Sequence, residues 1–287
     1  MNRPKRVAAI HDISGFGRCS LTVIIPVLSA MGIQVCPVPT EVLSTHTGGM
    51  GDVVMRDLTD FISPALAHYK KLDIGFECVY SGFLASFEQI DYCIDFFKAY
   101  PGALAVVDPV MGDHGRPYRT VTSDMQKRMN ELVAVAGLIT PNLTEAEILL
   151  GEPYDNLPMT HTRAKSLLTR LSKIGPAQVV ITGVHLASTE KISNIGYDRD
   201  KNTFWCVSRE YIPASYPGTG DLFASILTGS LLNDDSLPMA MSRASEFVEL
   251  AIKTTYGYGE DTRYGVMFER LLPQIMNRDL IFDYHTL

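Results

Sequence analysis

Six short apolar runs recur along the chain: VAAIHD (7–12), IQVCPV (33–38), CVYSG (78–82), ALAVVD (103–108), GLIT (137–140) and QVVITG (178–183). Each is rich in β-branched residues and nearly unalternating, the pattern of strands covered on both faces in a parallel sheet. Between them lie helical stretches such as LTVIIPVLSAMG (21–32), SFEQIDYCIDFFKAY (86–100) and TRAKSLLTRLSKIG (162–175), the first and last closed by glycine. Strand followed by helix, repeated, predicts βαβ units and an α/β fold. SNIGYD (193–198) and TFWCVSRE (203–210), separated by RDKN, predict an antiparallel hairpin at the sheet edge. Helices are expected over 220–232, 246–257 and 266–276. No repeat, low-complexity tract or linker divides the chain, so one domain over 1–287 is expected.

With 46% hydrophobic and 20% charged residues, the 287-residue chain can bury a sizeable core. A net charge of -7 leaves no basic surplus for a phosphate backbone, which argues against a nucleic-acid partner. No run approaches the roughly 18 apolar residues of a membrane span. Asp12 interrupts the basic start before a signal-peptide core can form, so a cytoplasmic protein is expected. The five cysteines, odd in number and without CxxC, point to reduced thiols rather than a disulfide framework or a zinc site.

Ligands of open parallel sheets bind beyond the carboxyl ends of the strands, where this chain places acids, glycines and hydroxyls. Gly15-Phe16-Gly17 does not extend to GxGxxG, and no GxxxxGK[ST] occurs, so neither the dinucleotide fingerprint nor the P-loop is present. In PGTGD (217–221), Gly218 and Gly220 flank Thr219, so backbone amides can converge on an anion at the positive end of the following helix. Asp221 in that first turn reads equally as a helix cap or as a base. Asp108 and Asp113 surround a turn in DPVMGD. Asn142 and Glu145 in TPNLTEAE fit a capping box, or alternatively the oxygen donors of a hydrated Mg²⁺. An anion nest, magnesium acids and a separate carboxylate base together describe phosphoryl transfer.

DPVMGD (108–113), TPNLTEAE (140–147), ITG (181–183) and PGTGDLFAS (217–225), in that order, resemble the ribokinase-like superfamily in its vitamin-kinase branch of pyridoxal kinases and hydroxymethylpyrimidine kinases. The resemblance runs from Val7 to about Tyr258. It implies a single three-layer α/β/α domain with a central, mostly parallel sheet, and ATP-dependent phosphorylation of a hydroxymethyl group. It further implies Asp221 as general base and the amides of Gly218, Thr219 and Gly220 as anion hole. Asn142 and Glu145 would organise Mg²⁺ and the nucleotide phosphates, aided by Asp108 and Asp113. Thr182 and Gly183 fall where the phosphates and, in many members, a monovalent cation such as K⁺ are held. A homodimer is implied by resemblance alone.

EVLSTHTGGMG (41–51) is similar to the pyridoxal kinase segment whose His-Thr pair lines the pyridine pocket, which carries over His46 and Thr47, together with Phe83. These imply a vitamin B6 vitamer as substrate: pyridoxal, pyridoxamine or pyridoxine. Asp12, where pyridoxal kinases commonly hold serine, looks more like the hydroxymethylpyrimidine kinases of thiamine biosynthesis, the alternative reading. A carboxylate there favours a protonated ring nitrogen or binds a substrate hydroxyl. A non-catalytic vitamer-binding protein is the rival of another class. The segment 112–120, with Arg116, reads as a short lid over ATP or as a solvated loop.

Overall fold

The computed structural model describes residues 3–118, 121–276 and 282–287. In chain order its strands are β1 (Arg6–Phe16), β2 (Gln34–Thr45), β3 (Met55–Asp57), β4 (Cys78–Ser81), β5 (Leu104–Val107), β6 (Gly112–Asp113), β7 (Arg116–Pro117), β8 (Leu138–Ile139), β9 (Gln178–His185), β10 (Ile192–Asp198), β11 (Thr203–Arg209) and β12 (His285–Thr286). Its helices are α1 (Leu21–Ala30), α2 (Thr59–Lys71), α3 (Phe87–Ala99), α4 (Ser123–Ala134), α5 (Leu143–Leu150), α6 (His161–Ile174), α7 (Thr219–Leu232) and α8 (Leu237–Tyr258). Contacts divide the chain into two units, Met1–Cys78 with Ile212–Phe282, and Val79–Tyr211 with Asp283–Leu287.

In the first unit β1 and β2 run parallel and β3 adds antiparallel to β2. β1 is longer than its apolar run because the segment past Asp12 keeps pairing with β2 as far as Phe16 and Thr45. Val7, Ala8, Ala9 and Ile10 are fully buried, as the unalternating sequence requires. Helix α7 is apolar nearly all round, and Leu222 through Ser230 are buried without interruption, which makes it a core helix rather than a surface one. The expected helix over 266–276 is not formed. The chain instead makes a six-residue 3₁₀ segment, Glu269–Gln274, because Pro273 has no amide to donate and its ring obstructs a regular turn.

In the second unit the strands lie in the order β12-β11-β10-β9-β8-β5-β4. β5, β8 and β9 are parallel, whereas β10 and β11 form the expected antiparallel hairpin. That hairpin is not the edge: β12 pairs with β11 through Trp205 and Cys206, a long-range pairing that local patterning does not reveal. Helix α5 is fastened to α6 by Arg163, which reaches the fully buried Glu147 at 2.7 Å and Asp155 at 2.5 Å. Removing the cation leaves Glu147 uncompensated in the core. We expect Arg163→Met to cost about 2–3 kcal/mol in denaturant unfolding, below the ~3–5 kcal/mol of a fully buried pair because the guanidinium keeps 29% exposure. A variant as stable as the parent would show that the pair does not hold α5 in place.

Candidate functional site

Helix α7 starts from a glycine that nothing else can replace. Gly218 is its N-cap with φ of 78°, and a Cβ there would sit 1.8 Å from the carbonyl oxygen of Arg18. No side chain caps the helix, so its first-turn amides and positive dipole end are left without a side-chain acceptor. The Thr219 hydroxyl donates to the carbonyl of Tyr216 at 3.1 Å, which braces the turn.

Asp221, one turn in, does not cap its own helix. Its Oδ2 accepts the amide of Ser20 at 2.9 Å. Burial pushes the Asp221 carboxyl up to about 7, with the charge of Asp12 adding to the effect and the Ser20 amide opposing it. An acid poised there can exchange a proton near neutrality. Ser20 also donates its hydroxyl to Asp12 Oδ1 at 2.5 Å, while Ser14 donates to Asp12 Oδ2 at 3.3 Å. Asp12 is buried and its carboxyl is raised, chiefly by burial. Ser20 therefore joins the two acids, its backbone held at φ 53° before α1. Sequence patterning marks Ser20 only as a residue ahead of a helix, so its bridging role was not legible.

The expected substrate residues of this unit lie close by. His46 is buried at the end of β2, its ring against Gly17 and Gly48. Nδ1 accepts the Gly48 amide at 3.0 Å, so Nε2 carries the proton and donates to the Arg263 carbonyl at 2.6 Å. Both ring nitrogens are thus engaged in joining the 46–49 loop to the segment around Arg263. Thr47 is exposed in that loop. Phe16 stacks edge-on against Tyr264 with centroids 5.0 Å apart, and Arg18 pairs with Glu269 at 2.6 Å. Neither contact was anticipated, because both join segments some 250 residues apart.

The second unit gathers the other acids. Asn142 and Glu145 make a complete capping box at the start of α5: Asn142 Oδ1 accepts the Glu145 amide at 3.0 Å, and Glu145 Oε2 accepts the Asn142 amide at 2.9 Å. Glu145 Oε1 accepts the Met111 amide at 3.1 Å, and Asn142 Nδ2 donates to the Gly112 carbonyl at 2.8 Å. Burial pushes Glu145 up to about 8, with the charge of Asp113 adding to the rise. Asp108 is buried just past β5, whereas Asp113 is exposed and faces His114 at 3.5 Å. Among the described residues no three His, Cys, Asp or Glu side chains converge as a metal-binding group.

Segment 112–117 is a tight hairpin, β6–β7, turning through His114 and Gly115, both at positive φ. The amide of Gly115 donates to Thr144 at 2.8 Å, so the hairpin is pinned to α5. Arg119 and Thr120 of the expected lid lie outside the described residues. Thr182 bridges to Asn142 and donates its amide to the Pro141 carbonyl at 3.0 Å. Gly183, at φ 68°, donates its amide to Asn194 Oδ1 at 3.0 Å. Phe83 is half-buried just past β4.

Comparison with known proteins gives a consistent result. The family model described as phosphomethylpyrimidine kinase matches residues 25–265. A Bacteroides thetaiotaomicron protein provisionally assigned as a phosphomethylpyrimidine kinase, in its crystal form with pyridoxal, is 44% identical over 99% of this chain and 100% of its own, with a TM-score of 0.94. The pyridoxal kinase of Lactobacillus plantarum is 30% identical over 95% of this chain and 96% of its own, with a TM-score of 0.87. A hydroxymethylpyrimidine/phosphomethylpyrimidine kinase of Bacillus subtilis is 28% identical over 65% of this chain and 67% of its own length. The fold is accordingly α/β, as the alternation of strands and helices predicts, and ribokinase-like, as the motif resemblance implies. With its motif order and a family match across most of its length, the chain belongs to the phosphomethylpyrimidine kinase family of the ribokinase-like superfamily.

Proposed function

We propose that the protein transfers the γ-phosphoryl group of ATP to the 5′-hydroxymethyl group of a vitamin B6 vitamer. The observation that carries the reading is Asp221: a carboxyl raised to about 7, held by the Ser20 amide rather than spent on its own helix, beside an uncapped helix start. The pyridoxal-bound relative at 44% identity supports a B6 vitamer over a pyrimidine.

In this mechanism Asp12, His46 and Thr47, with Phe83, receive the ring. Asp12 faces the ring nitrogen or a hydroxyl; His46, with both nitrogens engaged, contributes a fixed wall. Asp221 accepts the proton of the hydroxymethyl group as its oxygen attacks phosphorus. The amides of Gly218, Thr219 and Gly220 hold the negative charge that grows on the transferred group, and they need no reorganisation because Gly218 fixes the turn. Asn142, Thr182 and Gly183 face the nucleotide phosphates, and Glu145 acts on them through Mg²⁺.

Asp108, Asp113 and Glu145 fit a hydrated Mg²⁺ in donor chemistry, since all offer carboxylate oxygen and Glu145 carries a raised carboxyl that a dication would discharge. When bound, Mg²⁺ neutralises charge on the phosphates. A monovalent cation near Thr182 and Gly183 and a homodimer, both implied by the family resemblance, complete the proposal together with a cytoplasmic location.

Two measurements test it. Asp221→Ala should lower kcat by about 10²–10⁴-fold with little change in the KM for ATP; near-normal turnover of pyridoxal, pyridoxamine and pyridoxine would refute the assignment. The pH profile supplies the second. A base must be deprotonated, so kcat/KM for the vitamer should rise as pH passes about 7 and then level off. Stability should move oppositely: a raised folded-state value means that the contribution of Asp221 is present below its unfolded value near 4 and is lost as pH rises through about 7. Asp221→Asn should therefore lose less stability than the parent between pH 4 and 8 in denaturant titrations.

A further inference from the structure

The pairing of β1 with β2 slips once. His11 lies opposite Pro39 and Ile13 opposite Val42, so Asp12 alone faces two residues, Thr40 and Glu41. This is a β-bulge, which re-aims a side chain that regular pleating would turn away. Its effect is visible in burial: Thr40 is 0% and Glu41 3% exposed, two consecutive inward residues on a strand whose side chains should alternate. Among the described residues the Glu41 carboxyl meets no hydrogen-bond donor and no cation. Its cross-strand partner on β3 is Asp57, another acid. Burial, with Asp12 and Asp57 adding their charge, pushes Glu41 up to about 7.

A largely buried carboxyl placed beside like charges and given no protein partner, with its oxygens still reached from solvent, is destabilised by its neighbours and open to a ligand. Its retention points to a group that arrives with the ligand. Asp12 already accepts two hydroxyls, from Ser14 and Ser20. A protonated ring nitrogen offers one donor, which Asp12 alone can take, whereas a primary ammonium offers three. With Asp12 taken by the ring nitrogen or a hydroxyl, Glu41, which accepts from no donor of the protein, is the carboxyl left for the ammonium.

We propose that Glu41, beside Asp12, receives a primary ammonium group of the substrate and makes the pocket favour pyridoxamine over the alcohol and aldehyde vitamers. This rests on the vitamer-kinase reading above. Pyridoxamine and pyridoxine share the ring nitrogen and differ in that group, so the pair isolates it. Calorimetric titration without nucleotide should show wild-type protein binding pyridoxamine at least about tenfold more tightly than pyridoxine. Glu41→Gln should erase that gap by weakening pyridoxamine while leaving the pyridoxine Kd within about twofold. Equal binding of the two vitamers by wild-type protein would overturn the proposal whether or not the variant folds; so would a variant, native by its melting curve, that weakens both alike or neither. Turnover with ATP is scored separately: vitamers that bind with the amine preference but are never phosphorylated refute the kinase reading, whereas phosphorylation of all vitamers without that preference refutes the role of Glu41.

Discussion

Ser20 donates in two directions, its amide to Asp221 and its hydroxyl to Asp12, and the arrangement of the two acids in the first unit hangs on that pair of hydrogen bonds. Without the amide, Asp221 would be a half-buried carboxyl with like charge beside it, free to turn back and cap its own helix. Without the hydroxyl, Asp12 would lose the shorter of its two neutral donors. Backbone and side chain of one residue thus set the orientation of both acids, and the positive φ of Ser20 is what allows the two donors to diverge.

The second unit solves a related problem differently. Glu145 spends both oxygens on backbone amides, one closing the capping box and one holding Met111. The cap reading and the ligand reading of TPNLTEAE are therefore compatible, because the same hydrogen bonds that start α5 also fix the carboxyl in place. The hairpin at 112–117 is drawn onto the same helix start through Asn142 and Thr144. Of the segment read from sequence as a short lid or a solvated loop, the part as far as Pro117 is a hairpin bonded to the start of α5.

Much of this was legible from residue order. Buried parallel strands announce themselves by unbroken β-branched runs, and PGTGD announces a turn that only glycine can make. What escaped were features set by pairing partners rather than by neighbours. Glu41 sits in a strand where alternation would place it outside; only the slip against β1 turns it in. Ser20 meets Asp221 across 201 positions of chain. β12 covers β11 from the far end of the sequence, and Pro273 converts an apolar periodic stretch into a 3₁₀ segment. The division into two contact units is similarly hidden, since each is assembled from separate stretches.

The contact between Gly218 and the Arg18 carbonyl is backbone against backbone, with no side chain to absorb a misfit. Loops that meet through side chains can drift in length and be repaired by a larger or smaller residue. These two cannot. An insertion or deletion in the stretch from Gly15 to Ser20 would displace the start of α7 directly, so the two loops must change together or not at all. The neighbouring 46–51 loop meets the segment around Arg263 through side chains, the His46 imidazole and the Arg263 guanidinium, so a change there can be absorbed by a side chain rather than by the backbone.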